Sequence, residues 1–133
     1  MKAHVHKDFL HYSLHPDKRL VRSRWLTHVD STMYREGMLH MQKVIQERQA
    51  LYWLYDASRF TTPDMSDQQW TLWGLGPLLA QTALKKIAVL VPQDVLLQTV
   101  AERIQLEAQP VLHNRVRMEN FLGASEAEEW LLW

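Results

Sequence analysis

The 133-residue sequence contains no cysteine, only four glycines and no net charge, its 15 Lys+Arg being balanced by 15 Asp+Glu. The missing cysteine excludes thiol catalysis, disulfides and Cys-ligated zinc, and is compatible with a reducing compartment, so the chain reads as cytoplasmic. The missing charge, with no basic block, removes the electrostatic footprint on which sequence-independent nucleic-acid binding depends; Lys85-Lys86 is an isolated pair leading into an apolar run. No stretch approaches the roughly 18 apolar residues that would span a bilayer, and the N-terminus is polar rather than signal-like. Gly74-Leu75-Gly76 is not a dinucleotide fingerprint: it follows a helix instead of a strand, and Leu79 stands where a third Gly belongs. No Gly-x-Ser-x-Gly elbow is present to expose a nucleophile.

What is present is a 47% hydrophobic chain with six Trp. Its length fits one domain, residues 1–133, that hides roughly two-thirds of its extended surface without metal or disulfide staples. Phe9 to Leu14 alternates, His15-Pro16-Asp17-Lys18 makes a turn, and Leu20 to Thr27 alternates again, which reads as an antiparallel hairpin. Asp30 or Ser31 caps a helix reaching about Gln49, with Tyr34, Gly37, Met38, Met41 and Ile45 on one stripe. Gly37 weakens that helix, so its expected reason is a close approach to a sheet.

Leu51 to Tyr55, ending at Asp56, and Ile87 to Val91, stopped by Pro92, are continuous apolar runs of the kind found in central strands buried on both faces. Between them, Met65 to about Leu84 is helical with a kink or break at Gly74-Leu75-Gly76-Pro77. Asp94 caps a third helix with the stripe Leu97, Val100, Ala101 and Ile104. Val111 to Met118 reads as a fifth strand, and Ser125-Glu126-Ala127-Glu128 has capping-box spacing before a closing helix. The order is ββαβαβαβα. Right-handed crossovers then give a mixed five-stranded sheet with an antiparallel first strand and helices mainly on one face. The other face, apolar at its centre and flanked by arginines, is either a surface for self-association or ligand, or is covered by a terminal segment or loop.

This order, with Leu51 to Asp56 as third strand and Leu84 to Pro92 around the fourth, resembles the bacterial STAS-like proteins, fold relatives of the sporulation anti-sigma-factor antagonist. It is most similar to the small, stand-alone, uncharacterised members, over almost the whole chain, and the closing Glu128-Glu129-Trp130-Leu131-Leu132 shares the likeness. The resemblance implies an α/β STAS-like fold and a non-enzymatic regulatory switch, in which a Ser at the start of the helix after the third strand is phosphorylated. Ser66 is the nearest match by position. The region Arg59 to Asp67 departs from the family pattern, however: no Gly follows the Ser, and Asp64 and Asp67 would repel a phosphate. Asp64 and Ser66 are then expected as helix caps.

The residues themselves nominate few sites. Seven His invite a metal, with His4 and His6 on one face of an extended segment and His11 and His15 further along. They lack a His-Glu-x-x-His motif or a convergent carboxylate, so no metal is expected. At the carboxyl ends of the central strands, the usual ligand edge of an α/β sheet, stand Asp56, Ser58, Arg59 and Asp94. No His is placed to complete a catalytic set, Asp56 is expected to bond loop backbone with Arg59 as its local partner, and acidic helix starts at Asp64, Asp67 and Asp94 oppose phosphate cofactors. No cofactor and no catalytic residue is assigned. Trp70 and Trp73, then Trp130 and Trp133, form two turn-spaced pairs that mark a core, an interface or a pocket; the last pair docks on its own domain or on another subunit. The leading expectation is a non-enzymatic regulatory or protein-interaction module, homodimeric, with an unidentified protein partner. The alternative is a small-molecule or lipid binder using an apolar cavity of about 300 Å³ or more between the sheet and the Trp70/Trp73 helix, where Met33, Met38, Met41 and Met65 help form the lining.

Overall fold

The computed structural model describes residues 1–60 and 64–133. One six-stranded sheet is ordered β1 to β6 as in the sequence: Lys2–His6, Leu10–His15, Leu20–Trp25, Tyr52–Asp56, Lys86–Leu90 and Arg117–Phe121. β1, β2 and β3 pair antiparallel, and β3 to β6 pair parallel. The helices are α1 (Ser31–Arg48), α2 (Met65–Trp70), α3 (Gly76–Ala80), α4 (Val95–Val111) and α5 (Ala124–Leu132). The fold is the expected α/β one, with six strands rather than five.

The extra strand is β1, Lys-Ala-His-Val-His, whose short alternation turns Ala3 and Val5 outward and which is joined to the sheet by its backbone ladder to β2. A larger difference lies near the C-terminus. Val111 to Met118 is not a strand: α4 runs on to Val111, a turn follows in which His113 and Asn114 take left-handed backbone, and β6 begins at Arg117. Val111, Leu112 and Val116 are buried as expected, but as a helix end and a turn. Pro110 lies inside α4 with no N–H to give to the carbonyl four residues back, and the helix ends one residue later. Nor does the capping box form; Gly123 is the N-cap of α5, with no side-chain cap bond, and Ser125 lies inside the helix.

Elsewhere the local chemistry acts as read. Asp30 accepts from Met33 N–H at 2.9 Å and caps α1. A methyl group at Gly37 would stand 2.6 Å from Trp25 Cζ3, so only Gly allows α1 to lie this close to β3. The helix after β4 breaks where Gly and Pro cluster: residues Thr71–Leu75 form a widened π-helical turn, closed by a bond from Gly76 N–H to Thr71 O, before α3 resumes. Pro77 has no N–H to give and crowds the preceding turn, which favours the wider spacing.

Right-handed crossovers put α1, α2–α3 and α4 on one face of the sheet, over a core that includes Trp25, Trp53, Tyr55, Ile87 and Val89. Its buried indoles are satisfied: Trp53 Nε1–H donates to Ser23 Oγ at 2.9 Å and Trp25 Nε1–H to Tyr55 Oη at 2.8 Å. The opposite face is covered at its centre by α5, where Ala127 and Leu131 pack on Leu20, Leu54, Ala88 and Leu90. The terminal helix thus docks on its own chain, and the apolar strip between the arginines is covered.

Candidate functional site

The helices on the larger face do not close the core completely. An apolar cavity of about 140 Å³ lies between the sheet, α1, the π-helical turn with α3, and α4. Trp53, Tyr55, Ile87 and Val89 form its floor. Gly76 supports the far wall, because its missing Cβ, which would meet Val111 Cγ1 at 2.5 Å, lets the end of α4 approach α3. The roof is the apolar stripe of α4, Leu97, Val100, Ala101 and Ile104, which is only half-buried. On the outer side of that helix Leu96 and Leu106 are each 69% exposed, so α4 has apolar residues on both sides and is the least embedded of the covering helices.

The volume is below the about 300 Å³ of a typical drug-sized site, yet close to the roughly 150 Å³ of an engineered apolar cavity that stays dry and binds benzene. It occupies the place expected from the sequence, beside the Trp70-to-Leu84 segment, although Trp70 and Trp73 do not line it. Trp70 packs edge-on to Tyr34, with ring centroids 6.1 Å apart, under the Arg35 guanidinium. Trp73 points outward and is 67% exposed. Of the four methionines expected in a lining, Met38 is the one present.

The polar side chains of the wall are mostly satisfied. Thr71 Oγ1 donates to Asp67 O and contacts Tyr34 Oη, both at 2.7 Å. Burial pushes the Tyr34 hydroxyl up to about 12 and the Tyr55 hydroxyl well above its ordinary value, so neither ionises at neutral pH. Asn120 on β6 differs: its amide nitrogen and oxygen are both buried, and neither has a partner among the described residues. Burying such groups unpaired costs about 1–3 kcal/mol each. Sequence reading missed Asn120 because it ended the strand at Met118 and left residues 119–121 unassigned; the signal is a lone amide between Met118 and Phe121.

The second candidate, the carboxyl edge, is partly assembled. Arg24, Asp56, Ser58 and Arg59 surround a polar recess of about 170 Å³ at the ends of β3 and β4. Asp56 Oδ1 accepts from Ser58 N–H at 2.9 Å and from the Ser58 hydroxyl, the expected loop bond. The expected Asp56–Arg59 pair does not form among the described residues; the bonds to Asp56 Oδ1 come from Ser58. Asp94 is elsewhere, accepting from Leu97 N–H at 3.0 Å as the N-cap of α4. Asp64 likewise caps α2 through Asp67 N–H at 2.7 Å. Ser66 is not a cap: its exposed Oγ accepts from Arg35 Nη2 at 3.0 Å, and Arg35 Nε also holds the buried Asp67 at 2.7 Å. Thr61, Thr62 and Pro63 of the phospho-switch region lie outside the described residues.

At the other Trp pair, Trp130 is sandwiched between Lys86 and Arg117, whose charges lie 5.1 and 5.5 Å from its ring centre, while Trp133 is 89% exposed. The histidines form a packed group rather than a ligand set. His6 stacks on His40 at 4.0 Å and His4 on Tyr12 at 5.0 Å. Among the described residues no three His, Asp or Glu are placed to hold a metal ion, and no helix is long and apolar enough to cross a membrane.

No family model and no curated protein matches this chain. Among solved structures it is similar to an uncharacterised protein of the DUF3478 family with a SpoIIAA-like fold from Shewanella loihica PV-4. The identity is 13%, the TM-score 0.55, and the match covers 97% of this chain and 90% of that one. With its mixed sheet, antiparallel at the first strands, and its covering helices, the chain therefore has a SpoIIAA-like, that is STAS-like, fold.

Proposed function

We propose that this STAS-like module is a non-enzymatic regulatory protein of the cytoplasm that acts by binding a small apolar molecule beneath α4. The observation that carries this reading is the 140 Å³ cavity, walled almost wholly by apolar groups and roofed by a half-buried helix. A closed core has no use for such a void, which forfeits packing. A guest recovers those contacts, and a helix held by few neighbours can report its presence by shifting. The non-enzymatic part rests on the occupations of the polar side chains at the candidate edges: Asp56 is tied to Ser58, Asp64 and Asp94 cap helices, and Asp67 holds Arg35.

Toluene tests the reading. At millimolar concentration it should raise the melting temperature and shift methyl resonances of Val100, Ile104 and Ile87, and Ala101→Met, which fills the roof, should abolish both effects. Absence of any effect on the native protein from toluene and from benzamide alike would sink the proposal.

A second reading, a homodimeric protein-interaction module, is favoured by the exposed Trp73 and Trp133. Aromatics left in water in this way are characteristic of contact surfaces. Light scattering that reports a monomer at micromolar concentration counts against it.

A further inference from the structure

The wall of the cavity carries more information than its apolar character. Asn120 projects from β6, whose register places it beside Val89 of the cavity floor, and α4 packs over the same strand. Both ends of its amide are removed from water and neither is bonded among the described residues, whereas the neighbouring Thr71, Tyr34, Tyr55 and Trp53 each have a partner. Buried polar side chains left like this are uncommon, and a costly one at a binding wall calls for a reason.

Resting on the reading of the cavity as a ligand site, we infer that its occupant is not a pure hydrocarbon. It is a small, largely apolar molecule bearing one adjacent hydrogen-bond donor and acceptor, a carboxamide, lactam or neutral carboxylic acid, which pairs with Asn120 in a two-bond ring. The amide NH2 donates to the ligand carbonyl and the Asn120 oxygen accepts from the ligand N–H or O–H, so each orphaned atom gains the complement it lacks. The apolar remainder, about the size of one six-membered ring, fills the rest of the void. The low polarity of the surroundings strengthens both bonds and makes a mismatched group costly, so Asn120 sets specificity while the apolar wall supplies affinity.

The test compares toluene with benzamide, which share the ring and differ in the carboxamide. Dissociation constants for both are measured by titration on the native protein and on Asn120→Leu. The preference for benzamide over toluene should fall at least about tenfold in the variant, the loss expected when a buried amide can no longer pair. If toluene binds both proteins and the relative preference is unchanged, Asn120 reads nothing and the inference is overturned while the cavity reading stands. If neither probe binds the native protein, both fail together. An independent readout covers a variant that does not fold: on the native protein, benzamide and not toluene should move the Asn120 side-chain NH2 resonances downfield and slow their solvent exchange. Unmoved resonances at saturating benzamide would refute the pairing.

Discussion

Glu128 of α5 accepts a hydrogen bond from Arg22 of β3, a residue 106 positions earlier in the chain, across the sheet face opposite the cavity. Lys18 reaches the same carboxylate at 3.4 Å. Burial alone would raise the Glu128 carboxyl, but Arg22 and Lys18 outweigh it and hold it below its ordinary value. Beneath this partly solvated cluster Ala127 and Leu131 are fully buried. The apolar contact is the stronger fastening. Leu131→Ala should cost about 2–4 kcal/mol by lost burial and cavity formation, whereas Glu128→Gln should cost under about 1 kcal/mol, because the pair stands partly in water. Urea denaturation of the two variants orders them; equal losses would contradict this account of α5.

Gly37→Ala sets helix propensity against space. Alanine favours a helix interior by about 1 kcal/mol over glycine, but the new methyl would stand 2.6 Å from Trp25 Cζ3. Trp25 is held by its bond to Tyr55 and cannot simply rotate away. Net destabilisation of about 1–3 kcal/mol is expected, read as a lower urea midpoint at unchanged slope. A stabilised variant would mean that α1 does not lie this close to β3.

The pairing of His6 with His40 gives stability a pH dependence. His40 Nε2 lies 3.2 Å from Tyr12 Oη, its ring stacks on His6, and Lys43, Glu36 and Glu47 surround it. Burial first, then the positive charge of His6 and Lys43, holds its pKa below the ordinary 6.5. The unfolded chain therefore takes up the proton before the folded one does. The contribution of neutral His40 is complete above about pH 6.5 and is lost as the pH falls toward the lower folded value. Denaturation midpoints should drop as the pH falls below about 6.5, and His40→Gln should reduce the slope without abolishing it, because His15 is also shifted down, chiefly by burial. A native slope that the substitution leaves untouched would refute the role of His40.

Asn120→Leu should stabilise the empty protein. It replaces two unpaired buried polar atoms by methyl groups of similar volume, a change worth about 1–3 kcal/mol. Thermal melting without ligand measures it. Destabilisation would show that the amide has a structural partner and would remove its claim on a ligand.

Much of the architecture was legible because it depends on neighbours in sequence. The caps at Asp30, Asp64 and Asp94 need only a side chain three residues from an N–H, and the two central strands announce themselves as runs apolar on both sides. The segment from Val111 to Met118 misled because Leu112, Val116 and Met118 stand at even spacing, and apolar residues buried at a helix end and a turn can show that spacing without a strand. The pocket was expected from Trp70 and Trp73, which do not line it: Trp73 turns to solvent, and the wall is formed instead by residues such as Ala101, read from the sequence as part of a helix stripe, and Asn120, left unassigned.

The sequence by itself determined that there is no cysteine, no net charge and no basic block, together with the positions of most helix starts and the identity of the two central strands, because these follow from composition and from contacts within a few residues. Tertiary structure alone decided that the N-terminal segment becomes a sixth strand, that α5 covers the face between the arginines, that His6 stacks on His40, and that the Asn120 amide lines a void without a partner among the described residues. Each of these joins groups distant in the chain, and their energies of burial and pairing depend on neighbours that only the folded chain supplies.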